Sequence, residues 1–237
     1  MSTESKGKLI IIEAGDGSGK ATQTRALYEH LVRDGYRVHK IEFPDYEAEA
    51  SIPVRMYLRG DFGGHAEDVN AFAASTFFAV DRYASFRMKW KKFYDKGDII
   101  LADRYTTSNM VHQAVKIADS GEREAFLDWL WDFEFARLGL PVPDKVVLLD
   151  MDPAVADRLI AARAKEKGTE MDIHERDVSY LHRCHAAYLD LAEKYGWSKV
   201  TCSCEGEPRS IDAIHNEVYA AVAACLKETE STVRSIL

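Results

Sequence analysis

A glycine-rich segment directly after a short apolar run carries residues that suit the binding of a polyphosphate. The apolar run covers 8–13 (KLIIIE), the segment covers 14–22 (AGDGSGKAT), and a helical pattern follows at once. Its glycines let successive backbone N–H groups turn toward one anion, and the helix N-terminus adds partial positive charge. Lys20 is placed to reach the outer phosphates of a nucleotide. The predicted triphosphate-binding residues are Gly15, Gly17, Ser18, Gly19, Lys20, Ala21 and Thr22.

The loop departs from the strict pattern G-x-x-x-x-G-K-[ST] at both of its ends. Ala14 stands in place of the first glycine, and Ala21 stands in place of the hydroxyl residue that binds Mg²⁺. The arrangement GK-x-TQ resembles the loop of adenylate kinases, in which that hydroxyl is also missing and Mg²⁺ is held largely through water. The resemblance implies water-mediated Mg²⁺ binding here, with Thr22 as an alternative metal ligand.

Two other interpretations of the loop stay open. A dinucleotide-binding fingerprint also begins with Gly15-x-Gly17 and needs an acid such as Glu42 near the end of the second strand. Its third glycine position is occupied by Lys20, however, where the helix would have to pack closely. A glycine-rich turn that binds no ligand is the other alternative. The residue type at position 20 therefore favours a triphosphate loop.

A phosphoryl-transferring site needs a second phosphate pocket that faces the first one. Asp103, Arg104 and Tyr105 (DRY) end a predicted strand, at the sheet edge where the loop is expected. Phe78 and Arg82 are four residues apart on a predicted helix and therefore share one face. A ring that stacks on a nucleobase and an arginine fork that binds a phosphate would suit a nucleotide. The alternative is that Phe78 belongs to the core and Arg82 is a solvated charge.

Short apolar runs alternate with longer helical patterns along the chain. The predicted strands cover 8–13, 37–43, 98–102, 145–150 and 197–203. The predicted helices cover 20–33, 67–95, two stretches within 106–139, 176–195 and 210–228. This alternation predicts an α/β fold with a parallel sheet that helices cover on both faces. Because such sheets bind ligands beyond the carboxyl ends of their strands, the loop and the DRY segment are expected at one edge.

Length, charge and cysteine usage narrow the classes of protein to which the chain can belong. It has 237 residues without an internal repeat or linker, which predicts one domain over 1–237. The net charge of −8 argues against a nucleic-acid polymer as partner, and no apolar stretch approaches the ~20 residues of a membrane span. The four cysteines lack zinc or disulfide spacing, which predicts reduced thiols and a cytoplasmic location. A metal site at His182, Cys184 and His185 is disfavoured because no second ligand pair is evident.

The order of the motifs along the chain resembles that of thymidylate (dTMP) kinases. The five motifs are GDGSGKATQ, Phe43-Pro44, FAVDR, DRYTTSNMVHQ and PDKVVLLDMDP, and the similarity covers residues 8–222. The resemblance implies a P-loop NTPase fold with three α/β/α layers and a five-stranded parallel sheet in the order 2-3-1-4-5. It also implies ATP-dependent phosphorylation of dTMP to dTDP, assisted by Mg²⁺, in a homodimer.

The resemblance further implies roles for individual residues at the matching positions. Asp16 matches an acid that contacts the sugar hydroxyl and orders the acceptor phosphate, and Phe78 matches the ring that stacks on thymine. Arg82 and Arg104 match the arginines that hold the acceptor phosphate, and Asp103 matches an acid near Mg²⁺. The residues that match the helix reading the base edge are Ser108, Asn109 and Gln113. An amide both donates and accepts hydrogen bonds, which suits the mixed edge of thymine.

Two positions depart from the family pattern. Phe43-Pro44 matches a substrate-binding motif, but many members continue with Glu-Arg, whereas Asp45-Tyr46 follows here. One phosphate-binding arginine is therefore missing, and Arg55 is the expected substitute. In addition, His112 stands where the family often has tyrosine.

A charged segment after the fourth predicted strand is expected to close over the transferred group. Phosphoryl transfer spreads negative charge over that group, and cations that close on it supply much of the catalysis. Some thymidylate kinases place an arginine in the phosphate loop, where this chain has Gly17, so the arginine is expected from a lid. The resemblance implies a lid at about 164–176 with Arg163 as the catalytic arginine. A solvated charged face is the alternative, and 1–7 and 228–237 are expected to be mobile.

Three competing functions stay open from the sequence. A kinase for another nucleoside monophosphate or for a deoxynucleoside would share the fold and the loop but differ in its base contacts. A non-catalytic nucleotide-binding regulator would tolerate Ala21 and Tyr46, each of which replaces a residue that phosphoryl transfer normally uses. An NAD(P) enzyme would need no Mg²⁺.

Overall fold

The chain folds around one five-stranded parallel sheet. A computed structural model describes residues 6–167 and 172–234, with their side chains except at 163–167 and 228–234. The strands are β1 (Lys8–Ala14), β2 (Val38–Glu42), β3 (Ile99–Asp103), β4 (Lys145–Asp150) and β5 (Ser198–Thr201). Their order is β2-β3-β1-β4-β5, and each neighbouring pair is parallel. The predicted fold class and strand order are therefore confirmed.

Helices connect the strands. They are α1 (Lys20–Arg33), α2 (Ile52–Arg59), α3 (Ala71–Ser85), α4 (Lys91–Tyr94), α5 (Thr106–His112), α6 (Ser120–Trp131), α7 (Pro153–Lys167), α8 (Val178–Tyr195) and α9 (Ile211–Arg234). Two π-helical segments, Phe86–Trp90 and Asp132–Arg137, follow α3 and α6. Single 3₁₀ turns lie at Glu49–Ser51, Ala66–Asp68 and Ala114–Lys116, and β6 (Ser203–Cys204) and β7 (Glu207–Pro208) form a small hairpin.

The central strand β1 shows how the apolar pattern builds the three layers. Successive side chains of a strand point to opposite faces. Ile10 and Ile12 accordingly pack into a cluster with residues of α1 and α9, whereas Leu9 and Ile11 pack with Phe86 on the opposite face. Both faces of β1 are buried, which explains why the run KLIIIE is continuously apolar instead of alternating.

Several element boundaries differ from the sequence prediction. The helix predicted from residue 67 begins at Ala71, because the Asn70 side chain accepts a hydrogen bond from the Ala73 N–H at 2.8 Å and caps it. The helix α2 was not predicted, although Pro53 near its start and Gly60 in the left-handed region after its end are typical helix limits. Residues 168–171 of the predicted lid and 1–5 and 235–237 of the termini lie outside the described residues.

The sheet topology places the candidate site. The loop between β1 and α1 and the residues after β3 follow the carboxyl ends of two adjacent parallel strands, so both lie at one sheet edge. Within the residues described, no helix combines the length and the apolar character that crossing a membrane would require.

Candidate active site

A cleft of about 570 Å³ lies beyond the carboxyl ends of β1 and β3, and we call it the inner cleft. Nine residues singled out from the sequence line it, namely Asp16, Phe43, Pro44, Phe78, Arg82, Arg104, Ser108, Asn109 and Gln113. They come from four separate stretches of the chain. The structure therefore brings together most of the residues to which the sequence assigned an acceptor role.

A second cleft, the loop cleft, has a volume of about 1290 Å³ and follows the glycine-rich segment. All seven predicted triphosphate-binding residues line it, together with residues of α7 and of the segment that leads into α9. Gly17 has φ 76°, and a Cβ there would lie 2.7 Å from the Ala156 carbonyl oxygen, so a larger residue would not fit. Asp16 lines both clefts. The two clefts therefore meet at the Asp16 carboxylate.

Lys20, which lines the loop cleft, forms an ion pair with Asp103. Lys20 Nζ donates a hydrogen bond to Asp103 Oδ1, and both side chains are largely buried. Burial and the nearby Arg104 guanidinium lower the pKa of Lys20, whereas Asp103 raises it. The pair holds the amine at the start of α1, where a polyphosphate on the loop would be within its reach.

Arg104 is the cation best placed to bind an anion in the inner cleft. Its Nη2 donates to Asp16 Oδ1 at 2.6 Å. Burial opposes its charge, but Asp16, Tyr188, Glu13 and Asp103 together outweigh that effect and raise the pKa of Arg104 well above its usual range. Burial also raises the pKa of Asp16, whereas Arg104 lowers it, and the net direction is downward. Both groups are therefore charged at neutral pH.

Arg82 lines the same cleft, and two of its five N–H groups are used in a buried ion pair. Its Nε and Nη2 donate to the two carboxylate oxygens of Glu134 at 2.7 and 2.5 Å, and the two side chains are 2% and 0% exposed. Glu134 also accepts from the Thr106 hydroxyl at 2.7 Å. These two bonds use the Nε–H and one N–H of Nη2, which leaves the second N–H of Nη2 and both N–H groups of Nη1 for the predicted contact with the acceptor phosphate.

Gln113 is a fully buried amide in the inner cleft whose hydrogen-bonding groups are unused. Among the described residues, neither Nε2 nor Oε1 of Gln113 has a hydrogen-bond partner. The Tyr57 hydroxyl lies close by, without a hydrogen bond of normal geometry. Buried polar groups are normally paired, and a buried amide without partners in a cleft is a candidate ligand-binding group. The neighbouring Asn109 is different, because its Nδ2 donates to the Ser75 carbonyl at 3.3 Å.

His112 and His174 form one wall of the inner cleft. Their rings stack in parallel with centroids 5.3 Å apart. Burial and the Arg104 guanidinium lower the pKa of His112 to about 3, so this imidazole is neutral at physiological pH. His174 lies within the predicted lid, and its Nε2 lies 2.9 Å from the Tyr57 hydroxyl. The sequence analysis missed His174, since a single histidine in a charged segment gives no local signal.

Among the described residues, the predicted site residue Arg55 lines neither cleft, and its Nη1 donates to the Tyr46 carbonyl at 2.9 Å instead. The side chain of Arg163 lies outside the described residues, so its lid role stays a prediction. Asp45 forms an ion pair with Lys89. Tyr46, which stands at the position of the expected arginine, lines the inner cleft.

We expect Asp172→Asn to stabilise the unliganded protein in a pH-dependent way. Burial and the Asp16 and Glu175 carboxylates raise the pKa of Asp172 to about 6, although the backbone N–H groups of His174 and Glu175 donate to Oδ1 and oppose the shift. An asparagine oxygen can accept both bonds. Because the folded-state pKa exceeds the unfolded one, the charge disfavours folding above pH 6, and this penalty is lost as the pH falls toward 4.

The free energy of unfolding of Asp172→Asn should therefore exceed that of the wild type by about 1–2 kcal/mol at pH 7.5. At pH 4 the two proteins should unfold alike, which provides an internal control. Urea denaturation at both values measures the difference. An equal effect of the substitution at the two pH values would contradict the assignment.

Comparisons of the sequence with a family model and with known proteins all match thymidylate kinases. The family model described as "Thymidylate kinase" matches residues 12–218. A thymidylate kinase of Mycobacterium tuberculosis is 33% identical over 192 residues, which cover 80% of this chain and 87% of that protein. A thymidylate kinase of Schizosaccharomyces pombe is 30% identical over 226 residues, covering 94% and 95%. A probable thymidylate kinase of Thermococcus onnurineus is 29% identical over 215 residues, covering 90% and 96%.

Proposed function

Because the chain belongs to the thymidylate kinase family, we propose that it transfers the γ-phosphoryl group of ATP to the phosphate of dTMP. The observation that carries the proposal is the meeting of the two clefts at Asp16. The loop cleft offers backbone N–H groups and Lys20 to a triphosphate, and the inner cleft offers Arg104 to a monophosphate. ATP and dTMP bound in this way would face each other across one carboxylate.

The chemistry needs little more than positioning and neutralisation of charge. An oxygen of the dTMP phosphate attacks the γ-phosphorus, the bond from that phosphorus to the bridging oxygen breaks, and ADP leaves with the electron pair. Asp16 orders Arg104 for the acceptor phosphate, and Lys20 neutralises charge that accumulates toward the leaving ADP. We assign the lid cation to Arg163, as the family resemblance implies.

The residues at the junction of the clefts fit a magnesium ion held mostly through water. Among the described residues, no three acidic, histidine or cysteine side chains converge to form a direct metal cage. Asp103 presents a carboxylate beside Lys20, and Thr22 presents a hydroxyl in the loop cleft, which are oxygen donors that Mg²⁺ prefers. When bound, Mg²⁺ supplies neutralisation of phosphate charge. Asp103 would orient its water shell, and Thr22 is the alternative donor.

An ADP-release assay with ATP and Mg²⁺ tests the proposed function. The acceptors are dTMP, dUMP, dCMP, dGMP, dAMP and thymidine, each at the same range of concentrations. We expect the highest kcat/KM with dTMP and no turnover with thymidine, since the free nucleoside lacks the attacking phosphate. Turnover with another acceptor but not with dTMP would contradict the substrate assignment. Binding of ATP without turnover of any acceptor would instead indicate a regulator.

We infer that a second copy of the chain covers the exposed face of α3. Phe72, Val80 and Tyr83 lie on that face and are 45%, 53% and 39% exposed, and the family resemblance implies a homodimer. We expect the wild type to sediment as a dimer, Val80→Glu as a monomer, and Val142→Glu, which changes an exposed valine elsewhere, as a dimer. A monomeric wild type, or a dimeric Val80→Glu variant, would contradict this surface.

The state of the cysteines supports a cytoplasmic location. Cys184 and Cys202 are buried thiols, and Cys204 is an exposed thiol. Reduced cysteines are typical of compartments kept at a reducing potential. Cell fractionation with an antibody against the chain would test this location.

A further inference from the structure

A chain of hydroxyl groups connects the buried carboxylate of Glu13 to the guanidinium of Arg104. We propose that Tyr188 is a positioning residue that holds Arg104 in the orientation that binds the acceptor phosphate, and that Glu13 fixes Tyr188 in turn. The inference rests on the proposed function, in which Arg104 binds the phosphate of dTMP. It adds a residue on α8, far from the motifs of the site, to the machinery that recognises the acceptor.

The hydrogen-bond directions in this chain follow from the chemistry of its members. Arg104 Nη1 lies 3.1 Å from the Tyr188 hydroxyl, and that hydroxyl lies 3.1 Å from Glu13 Oε2. A guanidinium only donates and a carboxylate only accepts, so the hydroxyl must accept from Arg104 and donate to Glu13. Phenylalanine at this position would break both bonds at once, although it would preserve the packing of the ring.

Glu13 is held by hydroxyl and backbone donors instead of by a direct ion pair. Its carboxylate is fully buried and accepts from the Tyr105 N–H, from the Thr107 and Ser108 hydroxyls, and from Tyr188. A buried carboxylate needs such donors to remain charged. Its negative charge, together with Tyr188, favours the charged form of Arg104. Glu13 and Arg104 thus act as an ion pair bridged by hydroxyl groups.

The side chain of Arg104 is held from two sides. It is a non-glycine residue with φ 68°, in the left-handed region at the end of β3. On one side Asp16 accepts from Nη2 at 2.6 Å. On the other side Nη1 contacts Tyr188, Ser108 at 3.3 Å and the neutral His112 ring at 3.5 Å. Tyr188 is the nearest of these three groups and opposes the pull of Asp16.

Tyr188 acts through Arg104 and not on the ligand itself. Its side chain is 1% exposed, and among the described residues it does not line the inner cleft. It lies on α8, the helix that begins directly after the predicted lid. Loss of its hydroxyl should therefore weaken the contact of Arg104 with the phosphate and leave the binding of base and sugar intact.

The test compares the binding of dTMP with the binding of thymidine by calorimetry. For Tyr188→Phe we expect the affinity for dTMP to fall about tenfold, the loss of one charge-assisted hydrogen bond, with the affinity for thymidine unchanged within about twofold. If the role of Tyr188 were purely structural, the substitution would lower the affinities for dTMP and thymidine equally. That result would overturn the proposal. Tyr195→Phe removes the same atom from a partly exposed tyrosine of the same helix and should change neither affinity.

Arg104→Ala separates this inference from the proposed function. If Arg104→Ala leaves dTMP affinity unchanged, the assignment of Arg104 itself fails. If it weakens dTMP binding while Tyr188→Phe does not, only the role of Tyr188 is overturned. In the Arg104→Ala background, Tyr188→Phe should cause no further loss. If Tyr188→Phe does not fold, Glu13→Gln tests the same series of hydrogen bonds, because it keeps the shape of the side chain. It should also lower the affinity for dTMP more than the affinity for thymidine.

Discussion

Lys20→Met should lower kcat by at least about a hundredfold, because it removes the cation that faces the phosphates on the loop. The methionine retains much of the length of the lysine, so the loop keeps its packing. Lys20 is also the partner of Asp103, and both are largely buried. The substitution therefore leaves an unpaired carboxylate, and we expect a cost of about 1–3 kcal/mol in the free energy of unfolding.

This cost in stability requires a control that separates folding from catalysis. The double variant Lys20→Met/Asp103→Asn removes both charges and should recover most of the lost stability without recovering kcat. Thermal unfolding and the ADP-release assay, performed on the same preparations, measure the two quantities. A kcat of Lys20→Met within about threefold of the wild type would contradict the role of Lys20 in phosphoryl transfer.

The phosphate loop could be predicted from the sequence because its determinants are local. The loop cleft is built by glycines, a lysine and the start of a helix, which all lie within nine residues of the sequence. The strand alternation likewise predicted a parallel sheet, since a strand buried on both faces needs a continuous apolar run. The strand order came only from the resemblance to a family, because local patterns do not specify which strands become neighbours.

Contacts between distant residues could not be predicted in the same way. The pairing of Arg82 with Glu134 joins positions 52 residues apart, and it uses two of the five N–H groups of Arg82. Tyr188 and Glu13 are 175 residues apart, and neither has a spacing that indicates a partner. Arg55 illustrates the opposite error, because proximity in the sequence suggested a substitute that instead bonds to the Tyr46 carbonyl.

Gln113 is where the sequence prediction and the structure support each other most directly. The resemblance predicted that this amide reads the base, and the structure describes a buried side chain with both polar groups unpaired in the inner cleft. Leaving such groups unpaired costs about 1–3 kcal/mol. A ligand that supplies the missing hydrogen-bond partners offsets this cost. Thymine offers a donor and acceptors that match an amide.

Gln113→Leu should therefore raise the stability of the protein and lower its activity with dTMP. Without the unpaired amide, the free energy of unfolding of the unliganded protein should rise by about 1 kcal/mol or more. Without a partner for the base, kcat/KM for dTMP should fall about a hundredfold, as when a site loses a buried hydrogen-bonding group. The KM for ATP should stay unchanged, because Gln113 does not line the loop cleft among the described residues.

The opposite signs of these two effects distinguish base recognition from a structural role. A folding defect would lower stability and activity together, and a group without contact to the base would leave kcat/KM unchanged. Either result would contradict the assignment of Gln113. Urea denaturation of the unliganded protein and kinetics with dTMP measure the two quantities. A variant that is more stable and yet fails selectively with dTMP would identify Gln113 as a group whose missing partner is the base.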